Sequence, residues 1–232
     1  MPKFESFDRR GYATLSPREG YRRWAPTYEA TVKQDMDLRL LERVQTVPLA
    51  RVERAADLGC GTGRTGRWLA RRGVKRIDGV DLTPEMLERA RASGVFERLE
   101  LADVESTPLP AETYDLITTV LVDEHLAQLA PLYREAARIA RPGAAYVVVG
   151  FHPFFIMQSG MPTHFDDAAG DPLAIETHVH LFSEHVQAAL VAGFRLSEMH
   201  EQVIDEDWIA QKPKWAALRD VPVSFAIVWR RA

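Results

Sequence analysis

The sequence predicts an α/β fold, a mostly parallel sheet with helices on both faces, finished by an antiparallel strand pair near the carboxy terminus. Three observations predict it. Between about residues 51 and 151, short β-branched runs alternate with longer helical patterns, the arrangement that builds parallel βαβ units. Further on, residues 194–203 and 221–230 read as strands joined only by residues 204–220, a link that suits antiparallel neighbours and shows no further βαβ repeat. The length of 232 residues, with 46% hydrophobic and 27% charged, is that of a chain with a real core and excludes disordered, collagen-like and coiled-coil descriptions.

The elements follow in order. Residues 1–47 contain no strand pattern, but Tyr21, Trp24 and Tyr28 recur at helical spacing and share one aromatic face, so this stretch reads as an N-terminal helical cap. Residues 48–151 form the core, with strands at 52–58, 76–81, 99–103, 114–121 and 144–151, each apolar enough to be covered on both sides. Thr83-Pro84-Glu85 starts a helix over 84–91: a hydroxyl able to cap, a proline at the first helical position, then an acid favoured by the dipole. A helix over 126–140 is stopped by Arg141-Pro142-Gly143, which turns the chain into the fifth strand. Residues 152–182 are rich in Phe, His, Met, Gly and Pro with little periodicity and read as a lid or substrate insertion. Residues 183–232 return to the core sheet through a helix over 183–192 and the two final strands.

Composition narrows the function classes. Lys plus Arg number 29 against 33 Asp plus Glu, a net charge of −4, so there is no basic excess to neutralise phosphates and no nucleic-acid partner is expected. Cys60 is the only cysteine, so one chain can assemble neither a disulfide nor a cysteine zinc cluster. No run has the length of a signal peptide or a membrane span, and the expected location is cytoplasmic. Nothing in the pattern speaks to oligomeric state.

The strongest motif is Ala55-Ala56-Asp57-Leu58-Gly59-Cys60-Gly61-Thr62-Gly63, a strand running into a glycine turn that opens a helix at about Arg64. Glycines let backbone approach a ligand closely, and a helix start offers unpaired N–H groups. The plain alternative is a turn that serves only strand–helix packing. A second functional alternative is the dinucleotide fingerprint, since Gly61-Thr62-Gly63-Arg64-Thr65-Gly66 also satisfies G-x-G-x-x-G. Asp57, however, puts an acid at the strand tip where a pyrophosphate would bind, which repels phosphate. A cationic, phosphate-free ligand suits that tip better, and the sulfonium and ammonium groups of S-adenosylmethionine have this character.

Over roughly residues 50–151 the sequence resembles the class I S-adenosylmethionine-dependent methyltransferases. Asp57 to Gly63 resembles the family's glycine motif, which holds the methionine part of the cofactor, and Gly79-Val80-Asp81-Leu82 resembles the second motif, whose acid accepts both ribose hydroxyls. Ala102-Asp103-Val104 resembles the third, in which the acid takes the adenine amino group and the next backbone N–H serves a ring nitrogen. Tyr114-Asp115-Leu116-Ile117 and the helix ending in Arg141-Pro142-Gly143 continue the family order, with Ala144 where a second glycine is common. The resemblance implies a Rossmann-like, mostly parallel seven-stranded sheet with S-adenosylmethionine as cofactor. It implies cofactor contacts from Tyr21, Tyr28, Asp57, Gly59, Cys60, Gly61, Thr62, Asp81, Leu82, Met86, Asp103, Val104 and Val120. Tyr21-x-x-Trp24-Ala25-x-x-Tyr28 resembles the first helix of the ubiquinone and menaquinone C-methyltransferase branch and of related small-molecule O-methyltransferases.

Methyl transfer from a sulfonium is an in-line displacement driven mainly by alignment, and a base matters only when the acceptor still carries its proton. The candidates for that base are His125 and His152, which follow the fourth and fifth strands, where ligands of open α/β sheets bind. His164, His178 and His180 lie in or beside the insertion, but no third ligand is fixed by spacing and no metal is implied. Phe151, Phe154, Phe155, Met157, Met161 and Phe165 give the insertion an apolar lining for a small hydrophobic acceptor, or else form a satellite core. Arg22, Arg23, Arg64, Arg67, Arg71 and Arg72 are candidates to hold an acidic group, or are solvated helix faces. The leading expectation is methyl transfer to oxygen or carbon of a small molecule, against an NAD(P)-dependent oxidoreductase or a non-catalytic cofactor-binding relative.

Overall fold

The computed structural model describes residues 2–32 and 35–232. The chain begins with β1 (Ala13–Leu15), α1 (Pro17–Trp24), α2 (Tyr28–Thr31) and α3 (Met36–Arg43). The core alternates β2 (Arg54–Leu58), α4 (Arg64–Arg71), β3 (Arg76–Asp81), α5 (Pro84–Ala92), β4 (Arg98–Leu101), β5 (Tyr114–Val120), α6 (Ala130–Ile139) and β6 (Ala140–Phe151). Then come α7 (Pro153–Ser159), β7 (His164–Asp166), β8 (Pro172–Ile175), α8 (Phe182–Val191), β9 (Phe194–Val203), α9 (Glu206–Gln211) and β10 (Pro222–Arg231).

The main sheet has seven strands in the order β4-β3-β2-β5-β6-β10-β9. Strands β2 to β6 are parallel, and β10 pairs antiparallel with both β6 and β9. Side chains alternate across the central strands. Ala56, Leu58, Ile117, Tyr146 and Val148 pack with Leu132, Tyr133, Ala136 and Ala188 of α6 and α8. Ala55, Leu116, Val147 and Val149 pack on the other face with Leu40, Leu41, Trp68 and Leu69 of α3 and α4. Burial on both faces is why these strands read as continuous apolar runs. From β2 the chain proceeds outward to β3 and β4, then returns to β5 on the other side, so the sheet reverses direction between the carboxyl ends of β2 and β5. Open α/β sheets bind ligands at such a reversal.

Several local expectations are corrected. The amino-terminal stretch does contain a strand: β1 pairs parallel with β8, which pairs antiparallel with β7, so the first residues and the insertion share one three-stranded sheet. Gly20 of α1 permits this close packing, because a Cβ there would lie 2.6 Å from Ile175. Trp24 stacks on Phe165 at 5.4 Å and joins the two segments. Tyr28 belongs to a separate short helix, yet it still meets Trp24 at 4.8 Å. Pro142-Gly143 forms a bulge within β6 rather than a turn before it: Tyr114 pairs with Ala140 and Leu116 with Ala145, and Gly143 adopts φ +78°. At α5 the Thr83 hydroxyl makes no capping bond; instead its backbone N–H donates to Asp81.

Candidate active site

A cavity of about 460 Å³ opens at the reversal point. The turn after β2 shapes one wall. Gly59, Gly61 and Gly63 have φ of +76°, +52° and +85°, a region that L side chains rarely adopt. Gly59 is also required by close approach, since a Cβ there would lie 2.4 Å from Val122 Cγ2 in the loop after β5. Gly61 is different: no atom lies within 4 Å of its Cβ position, and it lines the cavity. The backbone N–H groups of Gly59 and Cys60 donate to the Val80 carbonyl at 2.8 and 2.9 Å, docking the turn on β3.

Asp81, at the tip of β3, accepts Gly61 N–H on Oδ2 at 2.8 Å and Thr83 N–H on Oδ1 at 2.9 Å. Burial raises its pKa, and these backbone donors oppose the shift. A carboxylate oxygen accepts more than one hydrogen bond, and Asp81 lines the cavity. Asp103 lies in the loop after β4, past the strand end expected at 103, and accepts Glu105 N–H at 2.9 Å. That loop is tied down from α6: Glu135 accepts Thr107 N–H at 2.9 Å and also the Thr107 hydroxyl, while Arg138 donates to the Leu109 carbonyl at 2.8 Å. Burial pushes the Cys60 thiol well above its ordinary range, which leaves it protonated and unsuited to nucleophilic work.

The opposite wall carries a hydrogen bond that joins the amino-terminal helix to the loop after β5. Tyr21 Oη and His125 Nε2 are 2.9 Å apart, and His125 Nδ1 is 2.7 Å from the Glu176 carbonyl oxygen. A carbonyl only accepts, so Nδ1 carries the proton; with burial lowering the His125 pKa to about 4, Nε2 is bare at neutral pH and accepts from the tyrosine hydroxyl. Burial likewise pushes the Tyr21 hydroxyl well above its usual value, so it remains a donor.

A second cavity, about 330 Å³, adjoins the first and shares the wall formed by Tyr21, Tyr28, Asp37, Arg64 and Leu121. Arg64 and Asp37 form an ion pair at 2.9 Å within that wall. Trp24, Thr31, Val32 and Met36 of the amino-terminal segment, Glu124, the insertion and the link between β9 and β10 complete it, with Phe155, Phe165, Trp208 and Trp215 among the aromatic lining.

Among the residues expected from the sequence, Tyr21, Tyr28, Gly59, Cys60, Gly61, Thr62, Asp81, Leu82, Met86, Asp103, Val104, Val120 and His125 line the first cavity. Two expected site residues lie outside both cavities. Asp57 is buried behind the turn, bonded to the Thr118 hydroxyl at 2.8 Å, and burial foremost pushes its pKa up to about 7. His152 caps α7: its Nδ1 accepts Phe154 N–H at 3.1 Å and its Nε2 lies 2.8 Å from Glu201 Oε1, so both nitrogens are committed away from the cavities. Of the insertion's apolar side chains, Phe151, Phe155, Met161 and Phe165 line the second cavity, whereas Phe154 is exposed and Met157 packs beside Phe4. Arg22 and Arg23 pair with Glu19, Arg67 with Glu29 and Arg72 with Glu42, so these four serve helix faces. The described residues gather no group of three or more His, Cys, Asp or Glu side chains suited to a metal ion.

Comparison with known proteins gives this geometry a family. The methyltransferase-domain model matches residues 56–148. A crystal structure of an S-adenosylmethionine-dependent methyltransferase from Mesorhizobium loti superposes with a TM-score of 0.64 at 25% identity, covering 84% of this chain and 96% of that one. An uncharacterized methyltransferase of Emericella nidulans is 30% identical over 240 residues, covering 83% of this chain and 82% of the relative. The chain belongs to the S-adenosylmethionine-dependent methyltransferases. A malonyl-[acyl-carrier protein] O-methyltransferase of Serratia marcescens is 34% identical over 125 residues, 53% of this methyltransferase and 48% of that protein. The chain thus spans about half the length of the first curated relatives it matches. Nothing in these relatives supports the oxidoreductase alternative raised by the Gly61 to Gly66 pattern. The first cavity also fits the family cofactor on its own terms, with open space at the Gly61 Cβ position and spare acceptor capacity on Asp81. No helix among the described residues is long and apolar enough to cross a membrane.

Proposed function

We propose that this methyltransferase moves a methyl group from S-adenosylmethionine in the first cavity to an oxygen or carbon of a small molecule in the second. The observation that carries the reading is the shared wall: two cavities of ligand size meet at Tyr21, whose hydroxyl is already paired with a neutral histidine. Asp81 would accept the ribose hydroxyls, Asp103 the adenine amino group, and the Val104 backbone a ring nitrogen. The Gly59–Gly63 turn would hold the methionine portion, with Leu82, Met86 and Val120 packing alongside. When bound, the cofactor supplies a methyl group on a positively charged sulfur and leaves as a neutral thioether. Asp57, in its buried position, supports the turn from behind.

The chain's contribution is alignment and exclusion of water, with proton removal where the acceptor needs it. For a hydroxyl acceptor, the oxygen–hydrogen bond breaks as the oxygen–methyl bond forms. The released proton passes to Tyr21 Oη, whose own proton moves to His125 Nε2. The imidazolium so formed takes over the positive charge that the donor loses, which offsets the burial that otherwise opposes it. The Nδ1–H bond to Glu176 holds the ring in the tautomer this requires. The single cysteine and the absence of a basic excess fit a cytoplasmic enzyme acting on small molecules rather than on nucleic acid.

Isothermal titration with S-adenosylhomocysteine tests the reading. Wild-type protein should bind one equivalent, and Asp81→Ala should weaken binding by about 1.5–3 kcal/mol through lost charge-assisted hydrogen bonds. Folded wild-type protein that takes up none would refute the assignment.

A further inference from the structure

The second cavity carries polar groups that no internal partner satisfies, and these describe its occupant. Its aromatic walls are paired: Trp24 stacks on Phe165 at 5.4 Å and Phe155 on Trp215 at 5.2 Å, with interplanar angles of 10° and 23°. Rings packed on one another in this way give the cavity an apolar aromatic lining, which suits a ring-bearing occupant. Trp208 lines the same space, lies 5.4 Å from Trp215, and its buried Nε1–H has no hydrogen-bond acceptor among the described residues. Glu124 is 3% exposed; its Oε1 accepts the Thr163 hydroxyl at 3.1 Å, and its buried Oε2 has no hydrogen-bond partner among the described residues. Burial and then the Asp123 carboxylate hold Glu124 well above the usual carboxylate range, so it enters the cavity as a neutral acid rather than as a counterion.

The cations are uncompensated. Lys212 Nζ sits 4.9 Å from the centroid of the Trp215 ring, half-buried, and forms no ion pair with any described residue; Lys214 forms none either. Burial, then the charge of Lys214, lowers the Lys212 pKa to about 8, which leaves it mostly protonated at neutral pH. Among the described residues, the other charged groups of the wall are Arg64 and Asp37, paired with each other, and the Asp166 carboxylate. Lys214 and Asp166 are both exposed to water, so the half-buried Lys212 is the cation that a bound carboxylate would serve. A half-buried ammonium supported only by a ring face gains from a counterion, so the occupant that gains most is one that brings the anion with it. Lys212, Lys214, Trp208 and Trp215 line only the second cavity.

Resting on the methyl-transfer reading, we propose that the acceptor is a largely apolar, ring-bearing carboxylic acid. Its carboxylate pairs with Lys212, assisted by Lys214, and its ring system packs against the aromatic lining. A neutral oxygen takes the free hydrogen-bonding capacity of Trp208 and Glu124.

Calorimetric titration of the full chain saturated with S-adenosylhomocysteine tests this, using 6-hydroxy-2-naphthoate and its neutral amide as probes. The acid should bind wild-type protein about tenfold or more tightly than the amide, as a charge-assisted bond requires. Lys212→Met should lose most of that preference while binding the amide and S-adenosylhomocysteine as wild type does, and Lys214→Met should lose less. Equal affinity for acid and amide, retention of the preference in Lys212→Met, or failure of both probes to bind the saturated protein would overturn the proposal. Failure of wild-type protein to bind S-adenosylhomocysteine in the same experiment would instead remove the methyl-transfer reading beneath it.

Discussion

Adding one methyl group to the glycine turn separates its two jobs. Gly61 adopts φ +52° and no atom lies within 4 Å of its Cβ position, so Gly61→Ala meets backbone strain but no steric clash inside the protein. A left-handed L-residue costs roughly 1–2 kcal/mol, and the variant should lose about that much stability. The added methyl instead projects into the space where the donor would lie, where one misplaced methyl group is worth about 1–3 kcal/mol of binding. Affinity for S-adenosylhomocysteine should fall by roughly 10- to 100-fold. Gly59→Ala provides the contrast. At φ +76° its methyl would also sit 2.4 Å from Val122 Cγ2, so strain and overpacking add to about 2–5 kcal/mol of lost stability. Urea denaturation read beside calorimetric titration distinguishes the two variants. Gly61→Ala protein that binds S-adenosylhomocysteine with wild-type affinity would refute the reasoning, because the turn would then face something other than the donor.

Tyr21→Phe keeps the ring and removes the relay, so turnover of a hydroxyl acceptor should fall by about 10²–10⁴ while donor affinity stays near wild type; unchanged kcat would dismiss the relay. His125 has a native pKa of about 4 against 6.5 unperturbed, so the fold favours its neutral form: that contribution is complete above about pH 6.5 and is lost as pH falls toward 4. It amounts to roughly 3 kcal/mol, and an NMR titration showing His125 protonating near pH 6.5 would contradict it. Asp78 is fully buried, accepts from Arg54 at 2.8 Å and from the Tyr114 hydroxyl at 2.6 Å, and should on Asp78→Ala destabilise the protein by about 3–5 kcal/mol in urea titrations. A loss below about 1 kcal/mol would show that the pair is not desolvated as the structure has it.

The sheet was legible because its strands are buried on both faces and its turns carry glycine and proline at strand tips. Asp81 and the glycine turn were legible because each sits at a strand tip in a short motif of its own. What could not be read depends on contacts between distant segments. β1 and β8 are three and four residues long, too short for alternation to show, and they find each other across the whole core. The Tyr21–His125 bond spans 104 positions, and neither residue's surroundings announce the other. His152 stands after a strand tip, as a base would, but its ring turns back to cap α7, a choice set by backbone conformation at one residue. Trp208, Lys212 and Trp215 lie in the link before β10, where spacing suggested a connection and the fold instead uses the segment as a cavity wall. Asp57 carries the motif, yet the turn folds over it, and Asp81 and Asp103 are the motif acids that line the cavity.

A crystal structure of the protein with S-adenosylhomocysteine tests the central claim most directly. It should show the adenine beside Asp103 and Val104, the ribose hydroxyls on Asp81, and the sulfur turned toward the wall formed by Tyr21 and Leu121. A ligand seated outside this cavity, or a sulfur facing away from that wall, would contradict the account.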